Sequence, residues 1–183
     1  MNITDELKAE HRAIEDMLKV MESVCEKFES GVPVKSGHVE LILEFLREFA
    51  DHCHHGKEEE WLFPALLDAG LPMHGGPIAV MLSEHEVGRG CIKGMRDALS
   101  RYSNGDQAAG SAFVKSAREY IHLLTDHIDK EDSVIFVMAE ECFSESQKQT
   151  IADGFKKIET EKNGLTKQEA LKKILDDLKL IYL

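Results

Sequence analysis

The strongest constraint on this chain is that it contains much of itself twice. HHGKEEEWLF from His54 to Phe63 and HIDKEDSVIF from His127 to Phe136 align as H-x-x-K-E-[ED]-x-x-[LI]-F, and upstream of them Glu10-His11 aligns with Glu84-His85. His11 and His85 lie 74 residues apart, whereas His54 and His127, like Glu58 and Glu131, lie 73 apart. With a drift of one residue in more than seventy, whatever the first half builds the second half builds again.

Helical periodicity supplies the frame for both copies. Leu7, His11, Ile14, Leu18, Met21, Cys25 and Phe28 follow spacings of three and four and predict a first helix. A second runs from Ser36, a candidate N-cap, to Ala69, where Gly70 and Pro72 stop it. A third begins at Pro77 behind Gly76 and carries Ile78, Met81, Leu82, His85, Ile92, Met95, Leu99 and Tyr102, closing at Ser103 to Asp106. A fourth carries Phe113, Ala117, Tyr120, Ile121, Leu124, His127, Ile128, Glu131, Val134, Ile135 and Met138, and no segment alternates like a strand. The expected fold is all-α: an up-down four-helix bundle over residues 1–143. SESQ at 144–147 and TKQE at 166–169 read as capping boxes that open two additional helices joined near Gly164, so residues 144–183 form a C-terminal helical appendage packed on the bundle.

The unusual feature is where the polar groups fall. His11, His54, Glu58, His85, His127 and Glu131 lie on the apolar stripes, where an unpaired ionised carboxylate or imidazole costs several kcal/mol. One such histidine would be an ordinary hydrogen-bonded core residue; six residues, repeated, need a common compensation. Residues four apart on a helix differ in direction by roughly 40°, so the imidazole and carboxylate of H-x-x-x-E can grip one centre. Two such turns and two further histidines converge four imidazoles and two carboxylates on a bundle axis, with carboxylates able to bridge two cations roughly 3.5 to 4 Å apart. Imidazole and carboxylate donors suit iron, manganese or zinc, and donor type alone does not choose among them.

Composition narrows the partners. The formal charge is −12 with no basic run, which excludes nucleic acid and anionic lipid as expected partners. No apolar run reaches the roughly 18 residues of a membrane span, and the amino terminus has no signal core, so the expected location is cytoplasmic. The four cysteines are far apart with no C-x-x-C pair and are expected as reduced, mostly buried thiols.

At EHRAIEDML, HHGKEEEWLFPAL, GGPIAVMLSEHEVGR and DHIDKED the chain resembles the hemerythrin-like HHE cation-binding domains, over residues 1 to about 140. The resemblance implies a four-helix bundle around two non-haem iron ions, oxo- or hydroxo-bridged, held by His11, His54, Glu58, His85, His127 and Glu131, with the glutamates as bridges. It also implies a small diatomic or peroxide ligand: such proteins react with oxygen, peroxide or nitric oxide, sense iron or oxygen, or serve in repair of iron centres. Oxygen-carrying hemerythrins add a histidine four residues along the third helix, where this chain has Arg89, and place an aspartate five after the last histidine, where it has Asp132. Two histidines per ion would leave each ion a position for an exogenous ligand, whereas a fifth histidine would fill one of them. The function expected is therefore a reactive or sensing centre. The alternatives are a non-catalytic iron store or donor acting through a protein partner, and a zinc- or manganese-bound structural bundle.

Around the six, His52, His55, Glu59, Glu84, Glu86, His122 and Asp126 are candidates to orient imidazoles, and His74 is a candidate seventh ligand. Of the overlapping pairs His54/Glu58 and His55/Glu59, only the first is expected to face the axis, since the two point about 100° apart. Pro64 is expected to kink the second helix, Gly88, Gly90 and Gly94 to permit close helix packing, and Trp61 and Tyr120 to fill core space, although a tyrosine near the centre could donate a hydrogen bond.

Overall fold

The structure, a computed structural model, describes residues 2–183 apart from the side chains of residues 162–166. Among the described residues there are helices and no strands. α1 (Thr4–Glu29) buries Leu7, His11, Ile14, Leu18, Met21 and Cys25 along the expected stripe. The second expected helix is a helical run of changing pitch: α2 (Ser36–Phe45), a π-helical stretch Leu46–His55, a π-helical turn Glu58–Leu62 and α3 (Phe63–Asp68). Ser36 is the first helical residue rather than the cap; Lys35 holds the capping position without a side-chain bond. α4 (Pro77–Ser103) starts behind Gly76 as expected. α5 (Ala109–Lys130) continues through a π-helical turn, Glu131–Ile135, into α6 (Phe136–Cys142). α7 (Glu145–Ile158) opens on the capping box of Ser144 and Gln147. After the π-helical Glu159–Asn163, α8 (Gly164–Tyr182) follows; the capping box expected at Thr166 lies outside the described residues.

A π-helical turn bonds i to i+5 and inserts an extra residue, which is why such turns gather at functional sites. Here Glu58 and Glu131 each open one, 73 residues apart, so the internal repeat extends to the backbone irregularity. Pro64 follows the first turn, but Val137 stands at the equivalent place after the second, so the proline is not what widens the helix.

α4 packs along α5, α5 along α1, and the Leu46–His55 stretch contacts both α1 and α4. The buried apolar residues form two clusters. The larger includes Ile14, Met21, Ala50, Met95, Leu124 and Ile128; the smaller includes Leu7, Leu62, Met81, Ile135 and Phe136. Along every one of these helical runs the polar residues of the repeat fall where one cluster gives way to the other. His11 stands between Leu7 and Ile14, and Glu58 between Ala50 and Leu62. The site is thus a polar layer closed above and below by apolar packing.

The C-terminal helices join both clusters, α8 through Leu171, Leu175 and Leu178 and α7 through Ile151 and Phe155. α4 and α5 approach closely at Gly94, where an added Cβ would lie 2.7 Å from Ser116 Oγ, whereas at Gly90 it would meet nothing within 4 Å. Cys25, Cys53 and Cys91 are buried free thiols, as expected, and Cys142 is exposed. Among the described residues no helix is long and apolar enough to cross a membrane.

The seating of α7 yields a test. A Cβ at Gly154 would lie 2.0 Å from the indole of Trp61, the single tryptophan of the chain. Gly154→Val should lift α7 off, destabilise the fold by on the order of 1–3 kcal/mol and red-shift the tryptophan emission. An unchanged melting curve and spectrum would show that α7 is not held there.

Candidate metal centre

All six residues singled out on the stripes meet in one place, and none is more than 2% exposed. The two carboxylates lie between two pairs of imidazoles. Glu58 directs Oε1 toward His54 Nε2 at 3.5 Å and Oε2 toward His85 Nε2 at 3.5 Å. Glu131 directs Oε2 toward His11 Nε2 and Oε1 toward His127 Nε2, each at 3.2 Å. Each carboxylate therefore offers one oxygen to the His11/His54 pair and one to the His85/His127 pair.

The outer nitrogens of the same four rings are tied down. Nδ1 of His11 faces Asp132 at 2.8 Å, that of His54 faces Glu10 at 2.9 Å, that of His85 faces Glu59 at 2.6 Å and that of His127 faces Glu84 at 2.9 Å. This outer ring of acids obeys the repeat as well, since Asp132 corresponds to Glu59 and Glu84 to Glu10. So do the stacking partners: His11 stacks on Phe136, with ring centroids 5.3 Å apart, and His85 on Phe63 at 5.9 Å. A carboxylate at Nδ1 takes the ring proton there and turns the Nε2 lone pair inward, the tautomer a metal ligand needs.

The inward atoms then lack partners. Both oxygens of Glu58 and of Glu131 and Nε2 of His11 have no well-directed hydrogen bond, although buried polar atoms are nearly always satisfied. Nε2 of His85 and of His127 face each other at 3.1 Å. Burial and the charge of Glu131 push the Glu58 carboxyl well above its usual range. Burial acts the same way on Glu131, but the imidazoles of His11 and His127 outweigh it and hold that carboxyl well below. Burial and the neighbouring His11 push His54 well below the ordinary imidazole range. An enclosed set of converging lone pairs and carboxylate oxygens is complementary to cations. Two groups of imidazole and carboxylate donors each lie mutually within 4.8 Å: His11, His54, Glu58 and Glu131, and His55, Glu58, His85 and His127; Glu6, Glu10 and Glu159 form a third group, of carboxylates alone.

His55 is the departure from expectation. Its ring is buried, 4% exposed, and reaches the centre, where one of its nitrogens lies within 4.8 Å of donors from Glu58, His85 and His127. The π-helical stretch Leu46–His55 ends on it, and the wider turn changes the direction of each successive side chain from that of a regular α-helix. Glu59 stays outside as expected and supports His85, as Glu84 supports His127. His52, His122, Glu86 and Asp126 are exposed, and His74 is exposed and away from the cluster. Tyr120 is buried without a hydrogen-bond partner for its hydroxyl, and Trp61, half-buried against the smaller apolar cluster, lies close to Gly154 with Lys157 Nζ 5.3 Å from its ring centroid.

Three supports were not read from the sequence: Glu10, Asp132 and Lys57. Glu10 precedes His11 as Glu84 precedes His85, so the repeat itself carried the signal. Lys57 is fully buried and its Nζ joins Glu6, Glu10 (2.6 Å) and Glu159 (2.9 Å), filling the centre of that third acidic group. Its repeat partner Lys130 binds Glu84 but is 40% exposed.

Residues 2–139 match the family model of the hemerythrin HHE cation binding domain. Uncharacterized proteins of Mycobacterium tuberculosis and Mycobacterium bovis are each 21% identical to the chain over 160 residues, which cover 87% of it and 62% of theirs. The chain thus spans less than two thirds of the length of these curated relatives. No solved structure matches it.

The two equivalent lysines separate burial from sequence position. Lys57→Met leaves three carboxylates without their shared cation and should cost about 3–5 kcal/mol. Lys130→Met removes an exposed partner and should cost less than about 1 kcal/mol. Denaturant unfolding of the two variants checks the difference; equal losses would mean that burial of Lys57 contributes nothing.

Proposed function

Because this chain belongs to the hemerythrin HHE cation-binding family, we propose that its buried layer holds two non-haem iron ions and binds or reacts with oxygen, peroxide or nitric oxide. The role would be sensing, detoxification or iron handling in the cytoplasm. One observation carries the reading: Glu58 and Glu131 each present one oxygen to each imidazole pair, the disposition of two bridging carboxylates. The His11/His54 and His85/His127 pairs would be the terminal donors. In the same reading residues 1–143 form an up-down four-helix bundle and residues 144–183 an appendage on it.

Iron held by His11, His54, Glu58, His85, His127 and Glu131 would supply one-electron chemistry and a place for a small ligand. The chain's own residues do the rest. Asp132, Glu10, Glu59 and Glu84 keep each imidazole in the inward tautomer and make it a better donor. Leu7, Leu62 and Met81 on one side and Ala50 and Leu124 on the other exclude bulk water, which strengthens every interaction of the layer. A site whose ligands are at most 2% exposed admits small ligands only.

Metal analysis of protein from iron-replete cells should give two iron ions per chain and the near-ultraviolet absorption of a coupled ferric pair. Stopped-flow mixing of the reduced protein with oxygen, peroxide and nitric oxide should show which one reacts. Zinc or manganese at full occupancy, with no reaction to any of the three, would sink the proposal. Chelation should lower the melting temperature, because binding stabilises the folded state alone. Glu58→Ala and Glu131→Ala, equivalent under the repeat, should each bring metal content below two ions per chain by similar amounts; full occupancy in either would mean that the bridge is misassigned.

A further inference from the structure

We propose that His55 is a third imidazole donor to the position formed by His85 and His127, so that the two metal positions are chemically unequal. The inference rests on the two-metal reading above. His55 is buried, and neither of its ring nitrogens has a hydrogen-bond partner. Its nearest anion, Asp51, stands 3.5 Å from Nδ1, too far for a good hydrogen bond. The ring lies parallel to that of His85, with centroids 3.8 Å apart, and edge-on to His127 at 5.9 Å. A donor atom of His55 falls within 4.8 Å of donors from Glu58, His85 and His127, and not in the group of His11 and His54.

The repeat shows that this is an addition to a symmetric plan. The residue equivalent to His55 in the second half is Ile128, which packs in the larger apolar cluster. The π-helical stretch Leu46–His55 likewise lacks a counterpart, since the equivalent residues belong to α5. Arg89 braces the addition. Its guanidinium donates to Asp51 and to Glu59, each at 2.8 Å, and Glu59 holds His85, so one cation positions the neighbours of both stacked rings. Arg89 stands four residues after His85, where a further histidine on α4 would otherwise face the centre. The fifth imidazole thus comes from the second helical run instead of α4. With three imidazoles on one ion and two on the other, the position open to an exogenous ligand lies on the His11/His54 side.

Cobalt(II) is a suitable probe, because its visible bands report coordination number without redox chemistry. Anaerobic titration of metal-free full-length protein should show two unequal binding steps. In His55→Gln the step belonging to His85/His127 should weaken by more than about tenfold while the other stays put, and its visible bands should change. His55→Gly should behave alike and recover on addition of free imidazole, which separates loss of a donor from misfolding. Two steps and a spectrum unchanged in both variants would overturn the assignment of His55. Fewer than two cobalt ions in the unaltered protein would instead overturn the two-metal reading.

Discussion

Glu58 and Glu131 are fully buried, face one another across the same small space and cannot both be ionised there without positive charge between them. The rest of the centre follows from that repulsion. Imidazoles flank each carboxylate oxygen, outer acids fix the imidazoles, and Lys57, Lys130, Arg12 and Arg89 neutralise the outer acids. Charge therefore alternates in shells from the centre outward, each shell compensating the one inside it. Such a layer is poor at stabilising a fold by itself, and the two apolar clusters on either side of it supply the stability.

The two halves of the repeat interlock rather than merely adjoin. His54 and His127 take their outer acid from their own half, Glu10 and Glu84. His11 and His85 take both acid and aromatic support from the other half: Asp132 and Phe136 for one, Glu59 and Phe63 for the other. Neither half alone can orient its first histidine. This exchange explains why the repeat keeps H-x-x-K-E-[ED]-x-x-[LI]-F together as a unit: each of its invariant positions serves one half or the other.

Much of this was legible in the sequence, because helix period and repeat spacing are local and additive. The stripes predicted the elements, and the 73- and 74-residue offsets selected Glu58 over Glu59 and His54 as an inward residue. His55 was not legible, since its place depends on a backbone widening that no side-chain period encodes; a strict α-helix would have turned it outward. Lys57 escaped for a different reason. Its burial depends on α7 and the turn after it, which supply Glu159 and the Phe155 ring 5.8 Å away, and a lysine on a charged segment looks solvated until that cover is known.

These exceptions belong together. The C-terminal helices contact the first-half run, α7 against Glu58–Leu62 and Glu159–Asn163 against Leu46–His55, and α8 packs on α1 and α2. Lys57, which they cover, is buried, and Lys130, its equivalent, is not. The long π-helical stretch and the inward His55 occur on the same covered side. A duplicated sequence would by itself give two equal donor groups; a C-terminal segment that packs chiefly on the first copy supplies a physical reason for them to differ. Lys57 is the link between that segment and the centre, because one buried ammonium joins Glu159 of the segment to Glu10, and Glu10 orients His54.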